Sequence, residues 1–373
     1  MITLKILDQQ DVEDIVVGGK ILGTGGGGEE EWARPLIKKV YESKKTFKLI
    51  DLSELDPEDT VVIASRIGGG VTKEQAAKVA SLVKTEERPE LRAFSLLSKY
   101  MGDEPSAVVP TELGAGNTLA AMCTAAMLDK PTLDADCAGR AKPEVSISTT
   151  CVAGIPITPA CLVTQYGEVV FLEKAVNDVR GEDILRAVAA ASGGMAGLCR
   201  SPMKGNQVGG AVVHNSVSKC ISLGRSIRES KQNGIDPVRS ILKAVDGLKF
   251  FEGSVSTFER EESGAFMRGE FTIKGSGNHS GHTLKVWFKN ENLVSWLDGE
   301  PFVTCPDSIC AVDTETGLGL SNWGNDLANG RRVTVFGVKA HELFRTAKGL
   351  ERFSPKSFGH DIEYTPIERL VKS

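Results

Sequence analysis

Ala107-Val108-Val109-Pro110-Thr111-Glu112-Leu113-Gly114-Ala115-Gly116-Asn117, running on through an alanine-rich stretch to Leu128, carries three local preferences in turn. The valines favour an extended strand, Thr111 to Gly116 favours a loop, and Asn117 to Leu128 favours a helix. The same succession stands upstream, where Val61-Val62-Ile63-Ala64 flows into Ser65-Arg66-Ile67-Gly68-Gly69-Gly70 and a helix is predicted from Thr72. Alternating strand, loop and helix predicts an α/β fold with a mostly parallel sheet. In open sheets of this kind ligands collect at the carboxyl ends of the strands, so the loop after Val109 is the first place to look for function.

Working outward, Val12, Ile15, Val16 and Ile21 recur at helical spacing from Asp11 to Leu22, with Asp11 as the expected cap. A run of glycines follows, then Glu29, Glu30 and Glu31, acids suited to the first turn of an amphipathic helix through Tyr41. Phe47 to Ile50 reads as a strand. Ser146 to Ala175 is strand-rich, with a turn at Gln165-Tyr166-Gly167-Glu168. A chain of 373 residues is long for one core, and the junction is placed here: an N-terminal α/β domain over 1–168 and a β-rich α+β domain over 169–373. In the second, helices are expected around Gly181–Ala191, His214–Ser230 and Pro237–Ala244, with a glycine-rich stretch from Ser192 to Gly210 between the first two. Strands are expected at Phe266–Lys274, Thr283–Phe288, Leu293–Leu297 and Arg332–Val338.

The 41% apolar and 25% charged content is that of an ordinary folded protein. A net charge of -5 and a pI near 5.7 argue against a phosphate-neutralising face, so no nucleic acid is expected as a partner. No apolar run reaches membrane-spanning length, and Met1-Ile2-Thr3-Leu4-Lys5 has no secretory character. A cytoplasmic location, no membrane association and a small-molecule partner are the expectations, with a homo-oligomer suggested by the β-rich second domain. Eight cysteines, scattered from Cys123 to Cys310 without a C-x-x-C pair, are expected to be reduced and buried. Cys305 and Cys310, the nearest pair, read as structural rather than as a metal clip.

Gly23-Thr24-Gly25-Gly26-Gly27-Gly28 invites comparison with a phosphate loop, but a helix precedes it, three acids follow it, and no Gly-Lys-Ser/Thr is present. It is either a strained turn or a loop whose N–H groups, around Thr24, Gly25, Gly26 and Gly27, bind a neutral or imide ligand. Glu112 is placed as a general base, with Gly114 and Gly116 letting backbone approach a substrate; the alternative is a capping loop with Asn117 as N-cap. Asp134-Ala135-Asp136-Cys137-Ala138-Gly139-Arg140-Ala141-Lys142-Pro143-Glu144 follows the short strand Pro131 to Leu133. Alternate residues of an extended segment share a face, so Asp134 and Asp136 are expected to converge, holding a metal or dividing acid and base roles; the alternative is an ion-paired surface loop. Arg66 is either a solvated side chain or a clamp for a substrate carboxylate. His279-Ser280-Gly281-His282 reads first as a loop, and His360-Asp361 as a weaker contribution from the tail.

The glycine run at 23–28, T-E-L-G-A-G-N at 111–117 and D-A-D-C-A-G-R-A-K-P-E at 134–144 resemble, in order and spacing, the N-terminal domain of the S-methyl thiohydantoin desulfurase family. Val217 to Arg228, Lys289 to Leu293, Pro306 to Ile309 and the tail from Phe353 to Pro366 are similar to its C-terminal domain, so the resemblance covers nearly the whole chain. Cys137-Ala138 and Lys142, where relatives often carry apolar residues, depart from the pattern. The resemblance implies hydrolysis at a ring carbon of a thiohydantoin, releasing methanethiol and leaving a hydantoin. On that implication Glu112, Asp134 or Asp136 activates water, Arg140 and the glycine-loop N–H groups stabilise developing charge, and Glu144 orients Arg140. Thr24, Gly25, Gly26, Gly27, Arg66, Gly69, Thr111 and Asn117 are expected to contact substrate. A divalent metal held by the acids would serve the same step. Two other functions fit: a metal-assisted hydantoinase that cuts a ring C–N bond, and a non-catalytic subunit of a hydantoinase or oxoprolinase-type complex. Each reading that places chemistry here requires the three bends to close around one cavity.

Overall fold

The computed structural model describes residues 4–371; the sequence reading of Met1-Ile2-Thr3 lies outside the described residues. The first part of the chain supplies β1 (Lys5–Leu7), β2 (Phe47–Ile50), β3 (Thr60–Gly68), β4 (Ala107–Val109) and β5 (Thr132–Leu133). After β6 (Ala135–Asp136), the strands β7 (Ala160–Thr164), β8 (Val169–Leu172) and β9 (Met195–Lys204) complete the same sheet. Its order is β1-β2-β5-β4-β3-β9-β7-β8. The central pairs β2–β5, β5–β4 and β4–β3 are parallel, as strands joined through helices must be. β1, β9 and the β7–β8 hairpin flank this centre antiparallel. The fold is therefore α/β, its parallel pairing concentrated where strand, loop and helix alternate.

Both faces of the centre are covered, which is why β3 and β4 read as continuous apolar runs. Val62, Ala64 and Val108 pack under helices α4 (Pro89–Met101) and α5 (Asn117–Met127), while Val61, Ile63, Ala107 and Val109 meet Met203 and Val208 on the other face. The helices of the first half are α1 (Gln9–Leu22), α2 (Glu30–Glu42), α3 (Lys73–Val79), α4 (Pro89–Met101) and α5 (Asn117–Met127). Asp8, not Asp11, caps α1: it is the extended residue before the first turn, and its carboxylate accepts the Asp11 N–H at 2.8 Å.

The glycine-rich stretch after Ser192 contains a ten-residue strand, β9, rather than a loop. Its Gly197 is where the start of α4 presses on the sheet, since a Cβ there would collide with the Glu90 backbone. β10 (Val213–His214) pairs with β6. The last part of the chain forms an antiparallel sheet from β11 (Leu248–Ser263), β12 (Phe266–Gly275), β13 (Thr283–Lys289), β14 (Glu291–Leu297), β15 (Glu300–Thr304), β16 (Ser308–Asp313) and β17 (Arg332–Val338). Its order is β15-β14-β13-β12-β11-β17-β16, around a core that includes Phe271, Val286, Phe288 and Val335.

A boundary at 168 falls in the turn between the paired strands β7 and β8. The two halves also share a core, in which α1, α2 and α5 pack with the helix Ser216–Asn233 and with Cys310, Val312 and Phe336 of the second sheet. All eight cysteines are buried and unpaired. No helix among the described residues is long and apolar enough to cross a membrane.

Candidate functional site

The chain leaves β4 at Val109 and turns into α5 through Thr111 to Gly116, a loop closed from within by the Thr118 hydroxyl. That hydroxyl accepts the Gly114 N–H at 3.0 Å and donates to the Glu112 carbonyl at 3.2 Å. The glycine loop after α1 lies directly against it: Gly116 and Asn117 donate their N–H groups to the Gly28 and Gly27 carbonyls, each at 2.9 Å. Gly27 has φ +79, and a Cβ on Gly114 would strike the Gly27 carbonyl oxygen, so only glycine lets these backbones touch. The second half then locks the pair in place. Asn292 and Asn322 donate their N–H groups to the Thr24 and Gly25 carbonyls at 2.7 and 2.8 Å, which brings Asn290, Glu291 and Trp323 alongside.

Between these loops lies a cavity of about 350 Å³ whose wall includes Gly27, Trp32, Ser65, Arg66, Thr111, Glu112, Asn117, Lys142, Glu144, Arg186, Asn290 and Glu291. The buried Glu112 carboxylate accepts from the Asn117 side chain, and from the Lys142 N–H at 3.2 Å, with the Lys142 ammonium at 3.5 Å. Glu291 is also buried, yet it has one bond only: its Oε1 accepts the Gly27 N–H at 3.2 Å, and its Oε2 has no partner. Burial, and then the charge of Glu112, push its pKa up to about 8. One glutamate is thus clothed in donors while its neighbour is pushed toward its protonated form, the arrangement that separates an acid from a base.

Of the residues singled out from sequence, Gly27, Arg66, Thr111, Glu112, Asn117 and Glu144 line the cavity. Asn117 does so as the donor to Glu112, and Gly116 rather than Asn117 occupies the cap position of α5. Arg66 is neither solvated nor free, because both ends of the Glu90 carboxylate hold it at 3.2 Å. Glu144 pairs with Lys289, not with Arg140. Thr24, Gly25, Gly26 and Gly69 stand behind the wall. The Thr24 hydroxyl accepts from Arg140; a Cβ on Gly25 or Gly26 would collide with Asn322 or Glu291, and one on Gly69 with the helix Asp178–Ala191.

The three remaining candidates are not brought to the cavity, because their polar atoms are committed elsewhere. Asp134 accepts the N–H and hydroxyl of Ser218 at 2.8 and 2.5 Å, at the start of the helix Ser216–Asn233. Asp136 folds its own loop by accepting the Ala138 and Gly139 N–H groups at 2.9 and 2.8 Å, and its burial pushes its pKa up to about 7. Arg140 is fully buried and donates to the carbonyls of Ala141, Asn292 and Asp307 and to Thr24, at 2.7–3.0 Å. It ties the glycine loop to the second sheet. Among the described residues no three His, Cys, Asp or Glu side chains cluster as metal ligands.

No site role is read from sequence for Glu291, which enters only within the family-like stretch Lys289 to Leu293, for Arg186, which enters only within an expected helix, or for Lys142, which stands as a departure from the family pattern. Glu291 sits at the head of the apolar strand β14, and a lone acid there has no local mark of burial. Family models for the S-Me-THD-like N-terminal domain and the S-Me-THD-like C-terminal domain match residues 10–174 and 176–367. The chain belongs to the S-Me-THD-like family. An X-ray structure of a Chromobacterium violaceum protein, a structural-genomics target, shares the S-Me-THD-like chain's fold with a TM-score of 0.80. The match spans 97% of this chain and 100% of that one at 23% identity, which supports the fold and nothing beyond it. No curated protein matches this S-Me-THD-like chain.

Proposed function

We propose that this S-Me-THD-like protein is a hydrolase of a small thiohydantoin- or hydantoin-like ring, expelling methanethiol from an S-methylated substrate. The observation that carries this reading is the pair Glu112 and Glu291, two buried glutamates on one cavity, one held by Asn117 and Lys142 and the other with an oxygen that has no partner. Glu112 takes a proton from water as its oxygen bonds to the ring carbon. As the C–S bond breaks, Glu291 gives its proton to the leaving methanethiolate, the new C=O forms, and the remaining water proton moves to the ring nitrogen. Proton return from Glu112 to Glu291 through solvent resets the site. Gly27, whose N–H holds Glu291, and Asn117, which holds Glu112, fix the two carboxyls against the ring. A cytoplasmic homo-oligomer acting on a free small molecule completes the reading; light scattering that returns a monomer mass would remove the oligomer.

The test is turnover of an S-methyl thiohydantoin with methanethiol measured in the headspace and the ring product by mass. Glu112→Gln and Glu291→Gln are each expected to lower kcat by roughly 10²–10⁴. Unchanged turnover in both variants would overturn the assignment. A ring-opened carbamoyl product without methanethiol would instead assign a cyclic amidohydrolase. Metal analysis of protein purified without chelators checks whether a divalent ion is involved.

A further inference from the structure

The cavity has a second polar feature that the acid–base pair does not use. Thr111 stands next to Glu112 on the wall, with only 7% of its surface exposed. Its Oγ1 accepts a hydrogen bond from the Arg200 guanidinium at 2.9 Å, and among the described residues no protein acceptor takes the hydroxyl's own proton. A hydroxyl has one proton and two lone pairs, so with Arg200 on a lone pair the proton turns away from the cation. Thr111 lines the cavity.

Arg200 is unusual in itself. It is 0% exposed, its other bond goes to the Ser201 hydroxyl at 3.0 Å, and its Nε has no partner. It forms no ion pair among the described residues, and the nearby thiols of Cys137 and Cys151, pushed up by burial to about 12 and 11, do not answer its charge. A guanidinium does not discharge, and an unanswered buried charge is costly. It is therefore a standing positive charge one hydroxyl away from the ligand space. The strand register explains its position: Arg200 of β9 faces Ile63 of β3, which also pairs with Val109 of β4. Two residues further on, along the same pleat face, come Ser65 and Thr111. Ser65 lines the cavity too, and its hydroxyl has no protein partner among the described residues.

We propose that the Thr111 hydroxyl, polarised by Arg200 and joined by the Ser65 hydroxyl, forms an anion-binding donor pair that takes the anionic heteroatom of a cyclic imide, either ionised in the ground state or developing charge in the transition state. The proposal rests on the reading of the cavity as a site for such a ring, but not on hydrolysis. Thr111 and Ser65 are the groups that touch ligand, and Arg200 is a positioning residue acting through Thr111. Oriented donors in a dry site are most effective toward charge, so the device discriminates an anion from a neutral ring of similar size.

Calorimetric titration of the full-length protein with barbiturate, an anionic cyclic imide at neutral pH, and with 1,3-dimethylhydantoin, which has no ionisable N–H, tests this. The unmodified protein is expected to bind barbiturate about tenfold or more tightly than the neutral ring, and Thr111→Val and Arg200→Lys to lose that preference. Thr111→Ser should retain it, and Ser65→Ala should reduce it. Should the valine variant fail to fold, Thr111→Ala replaces it. Equal affinity for the two rings, no binding of barbiturate, or a Thr111→Val protein with undiminished preference overturns the proposal. Loss of the proposal with Glu112- and Glu291-dependent turnover intact leaves hydrolysis standing. A Thr111-dependent preference in a protein that turns over no ring removes hydrolysis alone.

Discussion

Glu112 accepts from Asn117 and Lys142, whereas Glu291 accepts only from Gly27 and leaves its second oxygen without a partner. That difference sets two pH dependences at the residue scale. The proton on Glu291, held up to about 8 by burial and by the charge of Glu112, is the one delivered to the leaving group, so kcat should fall as pH rises through that value. Glu291→Gln should flatten this limb as well as lower the rate, and a pH–rate profile whose alkaline limb is unchanged in the variant would contradict the assignment. For stability the folded value lies above the ordinary 4.5. The folded chain therefore keeps a proton that the unfolded chain releases between about 4.5 and 8. The contribution is complete below that window and is lost as pH rises through it. Tm of the unmodified protein should drop more steeply across the window than Tm of Glu291→Gln, read by thermal melts in matched buffers. Legibility at this scale was uneven. Glu112 declares itself because a strand end, a glutamate and two glycines adjoin in sequence; Asp134 and Asp136 look alike in sequence and are absorbed by backbone donors from their own loop and from Ser218.

At the scale of elements, the site depends on the contact between the loop after α1 and the loop before α5. Gly114→Ala puts a Cβ against the Gly27 carbonyl oxygen, and with backbone on both sides neither loop can yield cheaply. The variant is expected to lose roughly 1–3 kcal/mol of stability and to lower kcat/KM, since Glu112 and the Gly27 N–H move apart together. Denaturant melts with parallel kinetics check it, and an alanine protein with unchanged Tm and activity would count against the packing described. Elements with a full amphipathic stripe, such as α1 and α2, were readable from apolar spacing. α4 and β9 were not. The buried apolar stripe of α4 is short, Ala93, Phe94 and Leu97, and β9 is broken by Gly197, whose missing side chain reads as a loop signal although it is there to admit α4.

On the scale of the whole molecule, the halves recognised by separate family models share both a sheet and a core. β9 lies beyond residue 174 and pairs with β3 along eight residue pairs, and the core under α1 includes Val217, Cys220, Ile221, Cys310 and Phe336. A fragment of residues 1–174 would expose the edge of β3 and the apolar face of α1. It is expected to show no cooperative thermal transition by circular dichroism, while the full chain melts as one unit; a cooperative melt of the fragment would show that the first half folds alone. The same sharing explains why the cavity needs both halves, for Glu291 reaches Gly27 across 264 residues.

Apolar period and the order of strand, loop and helix are local properties, and from them the amino-acid sequence alone determined the α/β class, the parallel centre of the first sheet and the two glycine-bearing loops at its edge. Local properties end where burial begins. Whether a carboxyl is wrapped in donors, left with a proton or spent on a backbone turn depends on neighbours from distant segments. For that reason only the tertiary structure decided that Arg140 ties loops together, that Glu291 lines one cavity with Glu112, and that Arg200 lies behind Thr111 without an ion pair among the described residues.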